Sequence, residues 1–138
     1  MPVPTREDTH MVVANVDGRD LGIFDTFAGG EIDSEEAKYR PGAMANEISL
    51  GGRQTIGNVT IGRYYDVLRD HPLYKWLAAR AGNRPGSAYW VPLTIAGVVA
   101  GEPVLYLGTF KRVQHSDMDS MGGDAATLEL EFTIEAIA

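Results

Sequence analysis

Few side chains in this sequence have the types and spacings that chemistry requires. The three histidines, His10, His71 and His115, lie in three separate segments, none beside a second ligand at metal spacing. They read as ordinary surface or capping residues. Asp117-Met118-Asp119-Ser120-Met121-Gly122-Gly123-Asp124 has the carboxylates of a calcium loop. However, Met121 falls at a ligand position and no glutamate closes the loop, so a solvated turn fits better. Gly51-Gly52-Arg53-Gln54-Thr55 lacks the Gly-Lys-Ser/Thr ending that cradles a phosphate, and a tight hairpin turn accounts for both glycines. Asn58-Val59-Thr60 fits a glycosylation acceptor, but it falls in an expected strand. The chain also opens with Arg6, Glu7, Asp8 and His10, not with a secretory apolar stretch. No Gly-x-Ser-x-Gly elbow is present. The absence of cysteine excludes thiolate nucleophiles, thiolate zinc sites and disulfides. Neither an enzyme nor a cofactor is expected.

One set of carboxylates is left. Residues 127–136 alternate, with Leu128, Leu130, Phe132, Ile134 and Ala136 on one face and Thr127, Glu129, Glu131, Thr133 and Glu135 on the other. Glu129, Glu131 and Glu135 are either a solvated strand face or a same-sign surface with a purpose. The pair Lys111-Arg112 reads as a solvated strand face.

The elements that must position these residues are mostly strands. Residues 11–16 and 21–27 flank Asp17-Gly18-Arg19-Asp20, and Asp-Gly between two apolar runs signals a hairpin. Residues 29–47 are polar and contain Glu31, Asp33, Glu35, Glu36, Lys38 and Arg40, with Pro41-Gly42 in the second half. Such a stretch buries little, so it reads as a long hairpin arm or loop, mobile in the free subunit. Residues 48–50, a turn at Gly51-Gly52 and residues 55–65 read as further strand, rich in β-branched and aromatic types. One helix is expected, capped by Asp70 or His71 with Pro72 in its first turn. Leu73, Trp76, Leu77 and Ala81 recur on its inner face, and Gly82-Asn83 ends it. Leu73, Trp76 and Leu77 are the residues expected to pack it onto the sheet. Residues 83–86 read as a loop, followed by strands at 88–99, 104–114 and 127–136, the first two joined by Gly101-Glu102-Pro103. The fold class is mainly β (α+β): an antiparallel β-sandwich or barrel of about six to seven strands with one flanking α-helix and a long polar loop or arm.

The length of 138 residues suits one domain, and 44% hydrophobic residues suffice for a core. A net charge of −7 argues against holding a phosphate backbone. No run approaches the roughly 18 apolar residues of a membrane span. A soluble protein of a cytoplasm-like compartment is expected.

The order of the pieces carries a resemblance. Gly29-Gly30 is followed by a charged arm at residues 31–42. Thr55-Ile56-Gly57-Asn58-Val59-Thr60-Ile61-Gly62-Arg63-Tyr64-Tyr65-Asp66 then leads to a helix at residues 72–81. Tyr106-Leu107-Gly108-Thr109-Phe110-Lys111-Arg112-Val113 comes next, then a loop with Asp117, Asp119, Ser120 and Asp124 and the alternating last strand. In this order, over residues 10–138, the chain resembles the major tail tube proteins of long-tailed phages. That family is similar to the tube proteins of contractile injection machines and type VI secretion. The resemblance implies a small β-sandwich or barrel flanked by a helix. It also implies subunits in rings, typically hexameric, stacked into a hollow tube through which genome DNA passes without specific binding. The implied partners are further copies of the chain and the tape-measure, tail-tip and tail-terminator proteins. The implied place is the virion tail, after assembly in the host cytoplasm. Glu31, Asp33, Glu35, Glu36, Lys38 and Arg40 become candidates for contacts between rings, a free solvated loop being the alternative. Glu129, Glu131 and Glu135 become candidates for a lumen-facing acidic surface that repels DNA. Three other readings stay open: a tube protein of a contractile injection system, a tail completion or initiator protein of the same fold, and a monomeric barrel that binds a small molecule.

Overall fold

The computed structural model describes residues 6, 8–34, 36, 38–42, 46, 48–49, 54–118 and 120–138. β1 (His10–Val16) and β2 (Arg19–Phe24) form the first hairpin. Its turn uses Asp17 and Gly18 at φ 51° and 81°, the left-handed backbone that Asp-Gly adopts at low cost. β3 (Thr26–Gly29) follows after the single residue Asp25. Then come the arm strands β4 (Ile32–Ser34), β5 (Lys38–Tyr39), β6 (Ile48–Ser49) and β7 (Gln54–Ile56). β8 (Val59–Tyr64), the helix α1 (Val67–Ala78), β9 (Arg84–Pro92), β10 (Val104–His115) and β11 (Thr127–Ile137) complete the chain.

The main sheet is antiparallel and seven-stranded, in the order β2-β1-β9-β10-β11-β8-β3. Its two edge strands, β2 and β3, are consecutive in the chain with only Asp25 between them. A sheet whose edges are joined by one residue must roll until they nearly meet. The Asp25 N–H bonds to the Gly62 carbonyl at 2.8 Å and pins that join to β8. The inside of the roll is filled by Val12, Val16, Phe24, Val59, Ile61, Phe110, Leu128, Leu130 and Phe132, all at most 2% exposed. Phe110 and Phe132 meet with ring centroids 5.7 Å apart. The mainly β class with one flanking helix and an arm is therefore the observed architecture.

Several boundaries differ from the sequence reading. The helix begins at Val67, not near Pro72, because Asp66 is its cap and accepts from the Leu68 N–H at 3.1 Å. Pro72 therefore lies inside the helix, and Asp70 is a fully buried helical residue, not a cap. The helix also ends at Ala78, and residues 79–83 turn toward β9, with the Gly82 N–H bonded to the Phe110 carbonyl at 2.8 Å. β9 starts at Arg84, inside the expected loop, because residues 84–86 pair with residues 108–110 of β10. It stops at Pro92, and residues 93–103 form an ordered connection. The turn expected at Gly51-Gly52 lies outside the described residues. Ile48–Ser49 and Gln54–Ile56 pair with β5 and β4 respectively, not with each other. β11 alternates as expected through Ile134. A bulge then shifts its register against β10 between Gly108↔Ile134 and Leu107↔Ala136, leaving both Glu135 and Ala136 exposed.

Candidate assembly surfaces

The chemistry candidates stay apart. His71 Nδ1 lies 3.1 Å from the Tyr65 hydroxyl, and His115 Nδ1 lies 2.7 Å from the Ser116 carbonyl with its ring against Tyr74. Among the described residues no group of three metal-ligating side chains forms. Asp119 of the 117–124 segment lies outside them. A depression of about 660 Å³ is an open groove lined by residues including Arg6, Asp8, His10, Asp25, Phe27 and Trp90. It is a surface feature at the β3 edge, not a chamber inside the roll. No helix among the described residues is long and apolar enough to cross a membrane.

The arm is a continuation of the β3–β8 ladder. Gly29 pairs with Val59, the Gly30 N–H bonds to the Asn58 carbonyl at 3.2 Å, and the Gly57 N–H bonds to the Glu31 carbonyl at 2.8 Å. Gly29 and Gly30 take φ of 88° and 77°. A Cβ on Gly29 would run into the Asn58 carbonyl, and one on Gly30 would come within 2.9 Å of the Tyr106 ring. Two glycines are therefore what the root requires, on backbone and on space. Beyond it, Ile32↔Ile56, Asp33↔Thr55 and Ser34↔Gln54 pair, then Lys38↔Ser49 and Tyr39↔Ile48. Glu31, Asp33, Glu36, Lys38 and Arg40 are all exposed along this ribbon, while Glu35 lies outside the described residues. Lys38 and Glu36 pair at 3.6 Å, both side chains at least half exposed. Ile32 and Tyr39 are exposed as well, at 54% and 55%. A two-stranded ribbon with water on both sides has little of its own to stabilise it.

Glu129, Glu131 and Glu135 do share the outward side of β11, but they are not equivalent. Glu129 and Glu135 are exposed, whereas Glu131 is half-buried between Lys111 Nζ at 3.4 Å and Arg112 Nε at 3.6 Å. Lys111-Arg112 is therefore the counterion of the middle glutamate. The cause is the β10–β11 register, in which a bulge at Lys111 sets Arg112 opposite Glu131. Sequence alone did not supply that pairing.

The helix lies against the roll through Leu73 and Leu77, both buried, with Trp76 half-buried beside them. The Arg19 and Arg80 guanidiniums stand over the Trp76 ring at 5.1 and 4.2 Å. A buried ion pair joins helix and sheet. Arg63, on β8, directs Nη2 to Asp70 Oδ1 at 2.6 Å and donates Nη1 to the Leu21 carbonyl at 2.6 Å and the Ile23 carbonyl at 3.4 Å. Asp70 also accepts from Arg69 Nε and Nη2 and from the Asp66 N–H. Burial pushes the Asp70 carboxyl up, but the hydrogen bonds from Arg69, Asp66 and Arg63 outweigh it and hold the group below its ordinary range. Burial lowers the Arg63 guanidinium, opposed by Asp70, and the group stays charged. Neither residue stood out in the sequence, where Asp70 reads as a cap and Arg63 as one residue of a strand.

The sheet register also sorts the connections into two rims. His10↔Pro92, Val104↔Trp90 and Tyr106↔Ile137 place the 93–103 connection at one rim, and the arm root, packed on Tyr106, lies on that side. Tyr64↔Thr127 and Val16↔Arg19 place the start of the helix, the 116–126 connection and the β1–β2 turn at the other.

No family profile and no curated protein sequence matches the chain. Solved structures do. A chain of an extracellular contractile injection system, the PVC sheath–tube complex in its extended state, aligns with a TM-score of 0.70 at 16% identity, over 98% of this chain and 90% of that one. A chain of the anti-feeding prophage baseplate aligns at 0.74 and 14% identity, over 100% and 96%. One of the anti-feeding prophage cap, a tube-terminating cap, aligns at 0.75 and 15% identity, over 100% and 91%. The rolled sheet, helix and arm described above thus form the fold shared with chains of these contractile injection assemblies, along essentially the whole length.

Proposed function

We propose that this chain is a structural subunit that self-assembles into stacked, hexameric rings forming the hollow tube of a phage tail or contractile injection particle. The observation that carries this reading is the arm, a hairpin rooted on two glycines and wet on both faces, whose exposed Ile32 and Tyr39 gain by covering against a neighbour. Fold likeness over the full length to chains of tube-bearing particles supports it. Glu31, Asp33, Glu35, Glu36, Lys38 and Arg40 are the inter-ring contacts on this reading. Glu129 and Glu135, with Glu131 neutralised in part by Lys111 and Arg112, belong to an acidic lumen wall that keeps genome DNA from sticking. Tape-measure, tip and terminator proteins are the other partners, and the tail of the assembled particle is the location.

A second reading, a tube-terminating or initiating protein of the same fold, is favoured by the likeness to chains of a sheath–tube terminator and a tube-terminating cap. Negative-stain electron microscopy of the purified protein at low and high concentration separates the two. Hollow tubes or stacked rings are expected of the tube subunit. Particles that stay small at both concentrations, and bind only the ends of a supplied tube, would favour the terminator.

A further inference from the structure

The chain changes partner at Asp25. Residues 19–24 pair with β1 and residues 26–29 with β8, so Phe24 stands opposite Val12 and Thr26 opposite Gly62. Toward the helix, the resulting seam lies between β2 and β8 and is bridged by Arg63. Toward the arm it lies between β1 and β3, and among the described residues no ladder pair crosses it. His10 and Met11 pair with β9 but extend past the end of β2, and β3 has β8 on one side only. The open groove of about 660 Å³ occupies this half of the seam. Thr9 and His10 line it on the β1 side, Thr26 and Phe27 on the β3 side, and Trp90 and Pro92 come from β9. Two strand edges without ladder partners thus face each other across an apolar floor, where one more strand would complete the sheet.

We propose that this slot receives the tip strand of the arm, Lys38-Tyr39-Arg40, of a neighbouring copy, added to the outer edge of β3 with Tyr39 on the Phe27–Trp90 floor. Backbone, side chains and reach all point to this occupant. β5 pairs with β6 on one side and has no ladder partner on the other, so it supplies the extended edge that β3 lacks. In an extended strand Tyr39 falls on one face and Lys38 and Arg40 on the other. Tyr39 is 55% exposed, and the slot offers its ring Trp90 and Phe27, the latter already against Tyr106 at 5.3 Å. The charged lining of the slot is Arg6, Asp8 and Asp25, and Arg6 and Asp8 neutralise each other at 2.7 Å. Arg63 and Arg69 act on Asp25 from the helix side, but both are bonded to Asp70. Residues 38–46 carry Lys38 and Arg40 and no carboxylate, Glu36 and Glu47 being the next acids on either side. The cationic face of the tip strand thus meets the one lining carboxylate held in no ion pair. Reach excludes the same copy. The arm departs from the end of β3, at the slot itself, and its ribbon from Ile32 to Arg40 carries the tip roughly 30 Å away at about 3.3 Å per residue. That distance suffices to cross onto a neighbouring body, whose radius of gyration is about 14 Å. The contact rests on reading the arm as a link between subunits, and it names the surface that the arm grips.

The chain has no cysteine, so single cysteines report the contact directly. Ala28→Cys on β3 and Pro41→Cys at the tip are made separately in the full-length protein, mixed at tube-forming concentration and treated with a short bismaleimide. The expected product on a denaturing gel is the mixed dimer of the two variants, with neither variant linking to itself. Placed in one chain, the two substitutions should give a ladder. In parallel, Tyr39→Ala should raise the concentration needed for assembly by at least about tenfold, while Tyr39→Phe keeps it within about twofold. Neither should move the Tm of the unassembled protein, because Tyr39 is exposed there. Absence of the mixed link overturns this contact, and tubes that form all the same leave the tube reading standing without it. A mixed link between copies that never build tubes keeps the contact and sinks the tube. Self-links of Pro41→Cys would mean that tips meet tips and would overturn the proposal, as would assembly of Tyr39→Ala at the wild-type concentration.

Discussion

Arg63 and Asp70 meet at 2.6 Å with side chains 3% and 0% exposed, and the same guanidinium holds two carbonyls of β2. β2 and β8 are not ladder partners, so in that stretch the side chain of Arg63 supplies donors that a neighbouring strand would otherwise provide. Asp70 in turn ties the helix to the seam. One ion pair thus anchors the place where the rolled sheet comes closest to closing.

Removing one partner leaves a buried charge without its counterion. Asp70→Ala and Arg63→Ala should each cost about 3–5 kcal/mol, read as a fall in Tm or in denaturant midpoint. The double variant should lose clearly less than the sum of the two, because the second substitution removes the charge that the first stranded. Additive losses would mean that the two residues act separately.

The same pair sets a pH dependence. The folded protein holds the Asp70 carboxyl below its ordinary value, so the unfolded chain takes up that proton first as pH falls. The stability from this group is fully present above about pH 4, the unfolded value, and drains away as pH drops through the lower, folded value. Denaturant midpoints of wild type and Asp70→Asn should therefore converge below pH 4. A gap of constant size down to pH 2 would contradict the assignment.

The helix face gives a graded series. Leu77→Ala, at a fully buried position, should cost about 2–5 kcal/mol, while Val67→Ala at the exposed helix start should stay within about 0.5 kcal/mol. Chemical denaturation with both variants checks the ranking.

At Glu131 the expectation is a small effect. Lys111 and Arg112 are about half exposed, so Glu131→Gln should change stability by no more than about 1 kcal/mol, and less at high salt. If β11 lines a channel, the substitution shifts the wall toward positive charge. Tubes of that variant should then retain added duplex DNA in a salt-dependent way that wild-type tubes do not.

Replacing residues 31–56 by a two-residue Asn-Gly turn removes only the ribbon beyond the glycine root. The Tm of the remaining protein should move by a few degrees at most, since among the described residues of that stretch none is fully buried and only Ile56 packs in part against the core. Assembly, followed by sedimentation, should be lost. Unaltered assembly would assign the arm to solvent.

What was legible in the sequence was local. Asp17-Gly18 announced its turn because two adjacent positive φ angles have few other residue solutions. β11 announced its faces because period two needs only its own side chains. The arm was visible as polarity, and its glycine root as a doublet. What depends on distant partners was hidden. The helix start is hidden because Pro72 and His71 look like a first turn, whereas the real start is fixed by Asp66 and by the buried contacts of Asp70. Glu131 looked like its neighbours until the register placed Arg112 opposite it. The rolled seam, with consecutive strands at opposite edges, leaves no mark in the composition of either strand.

The way the arm leaves the body has a mechanical consequence. β3 and β8 lead into the two legs of the ribbon across a root bridged by the Gly30 and Gly57 N–H bonds. A neighbour that gripped the arm and pulled along it would draw β3 and β8 together and load the β8–β11 hydrogen bonds side by side, not one after another as in peeling. Because β3 is joined through Asp25 to β2, the load would pass across the seam into the opposite edge of the same sheet. Under axial tension the arm would behave as a tendon spliced into the wall of the roll, and the wall would yield as a unit before the arm tore away.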